Sequence, residues 1–385
     1  MHITMLASTH PPDDARICSK EARTLVEAGH RVTVLTMANG DYPSFSDGVG
    51  FDLLPRPKNR FVRVLSAKKL LHRALQLDAD LYIIHDPEII RIGKALNRAG
   101  KPYIYDAHEP YPDFIAKKAW VPKPFKGLVK RLIAAEEMRG AKNAIAIIAA
   151  MRENAERLAP ANRPTIILHN YPRIADVSEK MPEKDNTIIY VGVVMKVRFG
   201  AEMLAMAKDL APKAALDGWK LQVLGPVYGK DYLERCREAA GEHLDKDYLD
   251  FPEKFVPYPK AMTMVERAKI GLSFIVPTKK YNQCLSSKIF DYMAKGTVPI
   301  TTWLDAYDGI LSEADGPIFV PHGQESRAAQ IIADLAHDSN ALEQRAIQCI
   351  KSAREKFNWE KDAAEFPQFI EKNASAFKHL SRQSF

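Results

Sequence analysis

The 385-residue sequence is poor in cysteine: its only four are Cys18, Cys236, Cys284 and Cys349, and they form no Cys-x-x-Cys pair. Isolated cysteines argue against a disulfide framework and against a zinc site, and they are typical of a reducing compartment. The sequence also lacks an apolar run of the roughly 20 residues that cross a bilayer. Its N-terminal MHITMLAS has no basic region of a signal peptide. We therefore predict a cytoplasmic protein.

The sequence has fewer acidic than basic residues: 48 Asp and Glu against 55 Lys and Arg, which gives a net charge of +7 at pH 7. Residues 53–77 contain no acid, and residues 114–135 mix lysines with Trp120 and Phe125. Such a mixture suits an anionic membrane surface or a solvated helix face, and the sequence leaves both open. On the first interpretation the protein would work at the inner face of the membrane. No recognition motif for nucleic acid accompanies the charge, so we expect no nucleic-acid partner.

Short apolar strands alternate with helices of about four turns along the chain, which favours parallel sheets covered on both faces. The pattern restarts after a polar stretch, so we predict an α/β protein with two Rossmann-like, doubly wound parallel-sheet domains facing a central cleft. The predicted boundaries are 1–172 for the first domain, 173–186 for a linker and 187–359 for the second domain. Residues 360–385 would form a C-terminal helix and tail that pack toward the first domain. Ligands of such sheets bind at the carboxyl ends of the strands.

The stretch YNQCLSSKIFDYMAKGTVPI, residues 281–300, predicts a helix that begins with two serines and ends at Gly296 before a buried strand. Ser286 and Ser287 can cap this helix, and Lys288 adds positive charge where free N–H groups attract anions. Asp291 follows about one turn later, where a carboxylate can accept hydrogen bonds from a diol such as ribose. The stretch is either a plain capped helix or an anion site.

A second candidate is YVGVVMKVRFG, residues 190–200, where a strand ends at Gly192 and a basic loop carries Lys196 and Arg198. Arg198 could reach a diphosphate, although an exposed basic loop would show the same pattern. The stretch is not the Gly-x-Gly-x-x-Gly fingerprint, so dinucleotide redox chemistry gains no support.

Polar clusters follow three predicted strands of the first half. STHPPDDAR contains His10, Asp14 and Arg16, while the other two clusters are His85 with Asp86 and His108 with Glu109. A single histidine is more often structural than catalytic, and no metal motif is present because a third ligand at suitable spacing is missing. Three polar clusters at the ends of three strands indicate a functional site more strongly than a single cluster would.

These motifs resemble those of a known family. THPPDDARICSKEARTLVEAGHRVTVL, HDPEIIRIGKAL, YDAHEPYPD, ILHNYP, YVGVVMKVRFG and SSKIFDYMAKGTVPI are similar, in this order, to GT-B fold glycosyltransferases of glycosyltransferase family 4. The resemblance covers nearly the whole chain to Trp359, and the last motif is the most specific.

The resemblance implies that the second domain binds a UDP- or GDP-linked sugar as donor, with no metal and no other cofactor. Asp291 stands where the family usually has a glutamate that holds the ribose, and Arg198 and Lys288 match positions that neutralise the diphosphate. The resemblance further assigns donor contacts to the serine amides, the glycine loop and the base-binding loop, namely Ser286, Ser287, Gly192, Lys196 and Tyr258.

In the first domain the resemblance places His108 beside the transferred sugar and the loop of Asp14 and Arg16 on the acceptor side, with His10 and Glu109 nearby. It implies retention of configuration by front-face attack, in which a donor phosphate oxygen takes the proton of the acceptor. If the reaction inverts configuration, Asp14 or His108 becomes the candidate base.

One position departs from the family pattern. The family often has two acids seven residues apart, and the first would fall at Gln283, which cannot supply negative charge to a cationic transition state. Many members lack that acid, so inactivity does not follow.

The predicted function is therefore a glycosyltransferase that modifies a glycan or lipid-linked glycan of the cell envelope. Two alternatives stay open: a nucleotide-sugar 2-epimerase on the same fold, and a non-catalytic scaffold that binds a nucleotide sugar or a membrane.

Overall fold

The computed structural model describes residues 1–39, 42–57, 60–108, 110–116, 121–210, 218–244, 246–278, 281–312, 314–324 and 327–383. They form two compact units. The first is Met1–Asn170 together with Asp362–Phe385, and the second is Tyr171–Lys361. Each unit has its own parallel sheet, which confirms the predicted α/β class with two parallel-sheet domains.

The sheet of the first unit has eight strands in the order β3-β4-β2-β1-β5-β6-β7-β8, and only the β3–β4 pair is antiparallel. The strands are β1 His2–Leu6, β2 Arg31–Met37, β3 Phe45–Ser46, β4 Val49–Leu54, β5 Leu81–Ile84, β6 Tyr103–Ala107, β7 Ala146–Ala149 and β8 Thr165–Ile167. The central strands are buried along their whole length, as Leu81 and Ile104 illustrate. Their continuous apolar runs reflect helices that cover both faces of the sheet.

The helices of the first unit begin with a π-helical turn, Ile17–Ala22, which leads directly into α1. The α-helices are α1 Arg23–Glu27, α2 Arg60–Leu77, α3 Ile92–Arg98, α4 Tyr111–Ala116, α5 Lys126–Asn143 and α6 Arg152–Leu158. Short 3₁₀ turns occur at Pro87–Ile89, Lys123–Phe125 and Ala159–Ala161. Among the helices of the described residues, none is both long and apolar enough to cross a bilayer.

The sheet of the second unit has six parallel strands in the order β11-β10-β9-β12-β13-β14. The strands are β9 Asp185–Val191, β10 Lys220–Leu224, β11 Leu249–Asp250, β12 Ala268–Ser273, β13 Val298–Thr302 and β14 Ile318–Val320. The α-helices are α7 Gly200–Leu210, α8 Lys230–Ala240, α9 Tyr258–Arg267, α10 Ser287–Ala294, α11 Ala328–His337, α12 Ser339–Glu355 and α13 Trp359–Asp362. The 3₁₀ turns are Ile174–Asp176, Lys196–Arg198, Gly241–His243 and Asp305–Tyr307. The last helix, α14 Phe366–Gln383, belongs to the first unit.

Residues 173–186, predicted as a linker from their polar composition, lie within the second unit. Val177 is buried in an apolar cluster that includes Ile350 of α12. The Nζ of Lys184 donates to the carbonyl oxygens of Ala268 and Lys295, at 3.0 and 2.7 Å. Apolar side chains and a half-buried lysine therefore hold a segment whose polar composition predicts a linker.

The predicted helix and strand of residues 287–302 are both present as α10 and β13. Gly296 ends the helix with φ +62°, and a Cβ at that position would lie 2.9 Å from Cδ1 of Ile350. Both the left-handed backbone and the close contact require glycine. The chain can thus turn at once from α10 into the buried strand.

Candidate functional site

The candidate donor site lies where β9 and β10 end in the second unit. Gly192 follows β9 with φ +136°, and a Cβ there would lie 2.7 Å from Cε of Lys288. Gly225 follows β10 with φ +153°, and a Cβ there would lie 2.0 Å from the carbonyl oxygen of Gly192. Two glycines therefore allow the two loops to pack on each other and Lys288 to lie against the first loop.

Lys288 and Arg198 bring two positive charges to this place. The Nζ of Lys288 lies 5.7 Å from the centroid of the Tyr190 ring. Nη1 of Arg198 donates to the carbonyl oxygen of Val193 at 3.4 Å. Burial and the charge of Arg198 lower the pKa of Lys288 to about 7. Within the described part of the chain neither cation has a carboxylate at ion-pair distance, so a bound anion would stabilise both.

The first turn of α10 is not capped as predicted. Ser286 occupies the cap position, but its side chain makes no capping hydrogen bond. Its Oγ lies instead 3.0 Å from Oγ of Ser273 at the end of β12. The prediction of a cap at Ser286 is wrong because the packed sheet offers this hydroxyl a buried partner. The side chain of Ser286 therefore leaves the first N–H groups of α10 available to another acceptor.

Asp291 lies one turn into α10, where it is half-buried and faces a tyrosine. The hydroxyl of Tyr258, the first residue of α9, donates to Oδ1 of Asp291 at 3.1 Å. Lys196 is exposed in its 3₁₀ turn, and Ser287 is half-buried. Gln283 is exposed in the turn before α10. The predicted donor residues thus lie on β9, α9 and α10 and on the loops that adjoin them.

A buried polar network occupies the carboxyl ends of β5 and β6 in the first unit, and Asp106 is its centre. This carboxylate is fully buried and accepts hydrogen bonds from His85 Nδ1 at 2.9 Å, Arg16 Nη2 at 3.3 Å and His108 Nε2. Nε of Arg16 also lies 2.9 Å from Oε1 of the buried Glu21. The guanidinium of Arg16 therefore contacts both acids of the network, Asp106 and Glu21.

The two acids of this network differ in their affinity for a proton. Burial alone would raise the pKa of Asp106, but Arg16 and His108 hold it well below its usual range. Burial and the neighbouring charge of Asp106 raise the pKa of Glu21 well above its usual range. Asp106 is therefore the ionised acid, and Glu21 favours the protonated form.

Arg16 and Asp14, which the resemblance assigned to the acceptor-side loop, both make hydrogen bonds within the first unit. Arg16 is 6% exposed, and its Nη1 donates to the carbonyl oxygen of Leu168 at 2.8 Å. Oδ1 of Asp14 accepts from the backbone N–H groups of Arg16 and Ile17, at 2.9 and 3.0 Å. The guanidinium of Arg16 is thus committed to buried partners, and its assignment to the acceptor side stays a prediction. Asp14 supports the start of the π-helical turn.

His10 and Asp86 form an ion pair beside the network. Asp86 accepts from the backbone N–H groups of Ser8 and Thr9, at 2.5 and 3.0 Å. Nδ1 of His10 lies 3.2 Å from Oδ1 of Asp86. Burial lowers the pKa of His10, yet Asp86 outweighs burial and raises it to about 9, so His10 is a cation at neutral pH. The ring of His108 lies 5.3 Å from that of His10.

The three predicted polar clusters therefore meet at one edge of the sheet, as parallel strands require. Glu109, predicted on the acceptor side, lies outside the described residues. Sequence reasoning missed Asp106 and Glu21 as members of this site. The signal for Asp106 was its place at the end of an apolar strand, two residues before His108.

The network also offers a set of ligand atoms that could hold a metal ion. Atoms of Glu21, His85, Asp106 and His108 all lie within 4.8 Å of one another. The guanidinium of Arg16 already supplies positive charge to both acids. The expectation that no metal is needed stays a prediction.

Residues 15–170 match the family model of a glycosyl transferase 4-like domain. This match covers a little less than half of the chain, so it shows a similarity of the first unit to that domain family. The predicted resemblance to GT-B glycosyltransferases is thereby confirmed, and solved structures extend it to the fold of the whole chain. A comparison with curated proteins gave no match.

Three solved structures illustrate the likeness in fold. Sucrose-phosphate synthase (tll1590) from Thermosynechococcus elongatus is 14% identical, with a TM-score of 0.74 over 98% of this chain and 100% of that one. Anabaena Alr3699/HepE in complex with UDP-glucose is 15% identical, with a TM-score of 0.69 over 97% of this chain and 100% of that one. An alpha,alpha-trehalose-phosphate synthase (UDP-forming) from Burkholderia vietnamiensis is 11% identical, with a TM-score of 0.67 over 97% and 99% of the two chains. The chain therefore has the GT-B fold.

Proposed function

We propose that this glycosyltransferase binds a nucleoside-diphosphate sugar in its second unit and transfers the sugar to an acceptor hydroxyl. The observation that carries the proposal is the unneutralised pair of Lys288 and Arg198 beside Gly192. A diphosphate supplies the negative charge that this pair lacks. Positive charge on the leaving diphosphate also lowers the barrier to cleavage of the sugar–phosphate bond.

The ribose of the donor would be held by Asp291, whose carboxylate can accept hydrogen bonds from a vicinal diol. We propose UDP as the nucleotide, with GDP as the alternative, because the Anabaena HepE structures of the same fold contain UDP, UDP with glucose, or UDP-glucose. We also propose that transfer is independent of a metal ion, since the two cations can neutralise the diphosphate themselves. Retention of configuration is our proposal for the stereochemistry.

The acceptor is proposed to be a glycan or a lipid-linked glycan, reached at an anionic membrane surface. Phe125, Leu128 and Leu132 are 55%, 56% and 61% exposed, and their spacing places them on one face at the start of α5. Four basic residues surround this apolar face: Lys123, Lys126, Lys130 and Arg131. Exposed apolar side chains flanked by cations suit the boundary between acyl chains and anionic headgroups.

Calorimetric titration with UDP and GDP tests the donor site. We expect Arg198→Ala and Lys288→Ala each to weaken nucleotide binding at least about tenfold, because a hydrogen bond to a charged group contributes about 1.5–3 kcal/mol. Lys220→Ala is the matched control, since Lys220 is exposed at the opposite, amino-terminal end of β10. Wild-type affinity in both site variants would overturn the phosphate assignment.

Product analysis then separates transfer from the alternatives. A transferase releases nucleoside diphosphate in proportion to the acceptor consumed, and we expect Arg198→Ala to lower this rate by about two orders of magnitude. An isomeric nucleotide sugar formed without acceptor would identify a 2-epimerase instead. Donor binding without turnover on any acceptor would identify a scaffold.

A further inference from the structure

The ladder of hydrogen bonds between β9 and β12 stops before the two strands end. Its last register pair is Ile189 with Gly271, although β9 continues to Val191 and β12 continues to Ser273. On the other side of β9 the ladder to β10 continues as far as Val191. The two central strands of the second unit therefore separate at their carboxyl ends.

The hydroxyl of Tyr292, a residue of α10, lies in the gap between these strands. The N–H of Val191 donates to Oη of Tyr292 at 3.2 Å, and Oη donates to the carbonyl oxygen of Leu272 at 3.2 Å. The N–H of Gly192 points to β10, so the N–H of Val191 faces β12, because successive N–H groups of a strand alternate in direction. In a regular parallel ladder it would donate directly to Leu272. The Tyr292 hydroxyl thus takes the place of one ladder bond.

A glycine on β12 makes room for the ring of Tyr292. A Cβ at Gly271 would lie 2.4 Å from Cδ2 of Tyr292, so a larger residue there would displace the ring. Tyr292 is fully buried, and burial raises its pKa, which keeps the hydroxyl protonated and able to donate. The ring is therefore held against β12 with its hydroxyl between the two strands.

The gap lies at the point where the strand order of the sheet reverses. From β9 the chain adds β10 and β11 on one side and then returns to add β12 on the other side. Open parallel sheets bind their ligands in the crevice at such a point. Lys288 precedes Tyr292 by one turn of α10 and reaches Gly192, where a Cβ would lie 2.7 Å from its Cε. One helix therefore carries both the hydroxyl in the gap and the cation beside the end of β9.

We propose that Tyr292 is a positioning residue that holds β9 and β12 apart and so keeps open the crevice in which the distal phosphate of the donor binds. Without the hydroxyl, Val191 and Leu272 are free to form the direct ladder bond, which would draw the loop of Gly192 toward β12 and close the crevice. The inference rests on the proposed donor function. It assigns a role in phosphate binding to a buried side chain that does not itself touch the phosphate.

Tyr292→Phe removes the hydroxyl and keeps the ring. We expect titration calorimetry to show that UDP binds at least about tenfold more weakly to this variant, because its distal phosphate loses hydrogen bonds in the closed crevice. UMP, which lacks that phosphate, should lose less than about threefold in affinity. A purely structural role of Tyr292 would weaken the binding of both nucleotides alike.

Tyr82→Phe is the matched control. The hydroxyl of Tyr82 in β5 also joins a backbone donor to a backbone acceptor, since it accepts from the N–H of Ala79 at 3.1 Å and donates to the carbonyl oxygen of Ala74 at 2.8 Å. Each variant should lower the urea concentration at which its own unit unfolds, but Tyr82→Phe should bind UDP and UMP like the wild type. Wild-type affinity of Tyr292→Phe for UDP, or equal losses for UDP and UMP, would overturn the proposal.

Crystal structures give a readout that does not depend on affinity. In Tyr292→Phe we expect the backbone nitrogen of Val191 to lie within about 3.2 Å of the carbonyl oxygen of Leu272, as in a direct ladder bond. A gap that persists between these two atoms would overturn the proposal. If Tyr292→Phe does not fold, the wild type crystallised with UDP decides: we expect the distal phosphate at the ends of β9 and β12, and a phosphate bound elsewhere would overturn the proposal.

The same experiments separate this inference from the function on which it rests. If the wild type binds neither UDP nor GDP, the proposed donor function fails. The distance between Val191 and Leu272 in Tyr292→Phe still decides whether the hydroxyl holds the two strands apart.

Discussion

At the scale of single residues, the glycine at position 192 matters to the donor site as much as the charged side chains do. Gly192 has φ +136°, and Cε of Lys288 occupies the space next to its Cα. A substituted residue would have to adopt a backbone conformation that side chains disfavour and would also have to displace the lysine. The position of Lys288 therefore depends on a residue that carries no chemistry of its own.

We expect Gly192→Ala to weaken binding of the donor nucleotide at least about tenfold, because the added Cβ would lie 2.7 Å from Cε of Lys288. Titration calorimetry with UDP measures the loss. Gly218→Ala is the control, since Gly218 has φ +73° but nothing within 4 Å of an added Cβ. Gly218→Ala therefore has the same unfavourable positive φ as Gly192→Ala but displaces no neighbouring side chain. Equal affinities for the two variants would show that the contact with Lys288 does not matter.

At the scale of elements, the first turns of α5 present apolar side chains to solvent. A helix of a soluble domain normally turns such a face to the core. Here Phe125, Leu128 and Leu132 point outward among basic residues. The sequence left open the alternative of a solvated helix face. Such a face would explain the exposed lysines but not the three exposed apolar side chains.

Co-sedimentation with vesicles tests the proposed membrane surface. We expect the wild type to bind vesicles that contain anionic lipid more strongly than zwitterionic ones, because both charge and apolar area contribute. The double variant Leu128→Ser with Leu132→Ser keeps the charge and should lose at least about tenfold in binding. Phe45→Ser, which removes another exposed apolar side chain of the same unit, should bind like the wild type. Equal and negligible binding of the wild type to both vesicles would remove the proposal.

At the scale of the whole molecule, two half-buried ionisable groups, His10 and Lys184, give the two units opposite responses to pH. In the first unit, Asp86 raises the pKa of His10 to about 9, against 6.5 in the unfolded chain. In the second unit, burial lowers the pKa of Lys184 to about 7, against 10.5 when unfolded. His10 therefore binds its proton more tightly in the folded state, and Lys184 binds its proton less tightly.

The sign of each contribution follows from which state binds more protons. Between pH 6.5 and 9 the folded first unit holds the extra proton on His10, so its free energy of unfolding falls as pH rises. Above pH 7 the unfolded second unit holds the extra proton on Lys184, so its free energy of unfolding rises with pH. The slope approaches about 1.4 kcal/mol per pH unit for one group. Urea unfolding at pH 7, 8 and 9 should show the transitions of the two units moving in opposite directions.

His10→Gln and Lys184→Met assign these two slopes to their residues. His10→Gln should flatten the pH dependence of the first unit. Lys184→Met should remove only part of the slope of the second unit, because the pKa of Lys288 in that unit is also lowered to about 7. Neither variant should change the slope of the other unit. Slopes that persist in both variants would show that other groups are responsible.

The sequence by itself determined the alternation of strands and helices, and therefore the two parallel sheets, because these follow from local periodicity. It also placed His10, His85 and His108 at strand ends, which in parallel sheets lie at one edge. The resemblance to a glycosyltransferase family came from short motifs and was confirmed by comparison.

Only the tertiary structure decided which partners those residues have. Ser286 bonds to Ser273, thirteen positions earlier in the chain, in place of capping its helix. Arg16 turns inward and donates to Asp106, which is fully buried and lies ninety positions away in the chain. The polar segment 173–186 is held by apolar and charged contacts to distant elements. These outcomes depend on contacts across the sheet that no local pattern encodes, and so they arise only when the chain is folded.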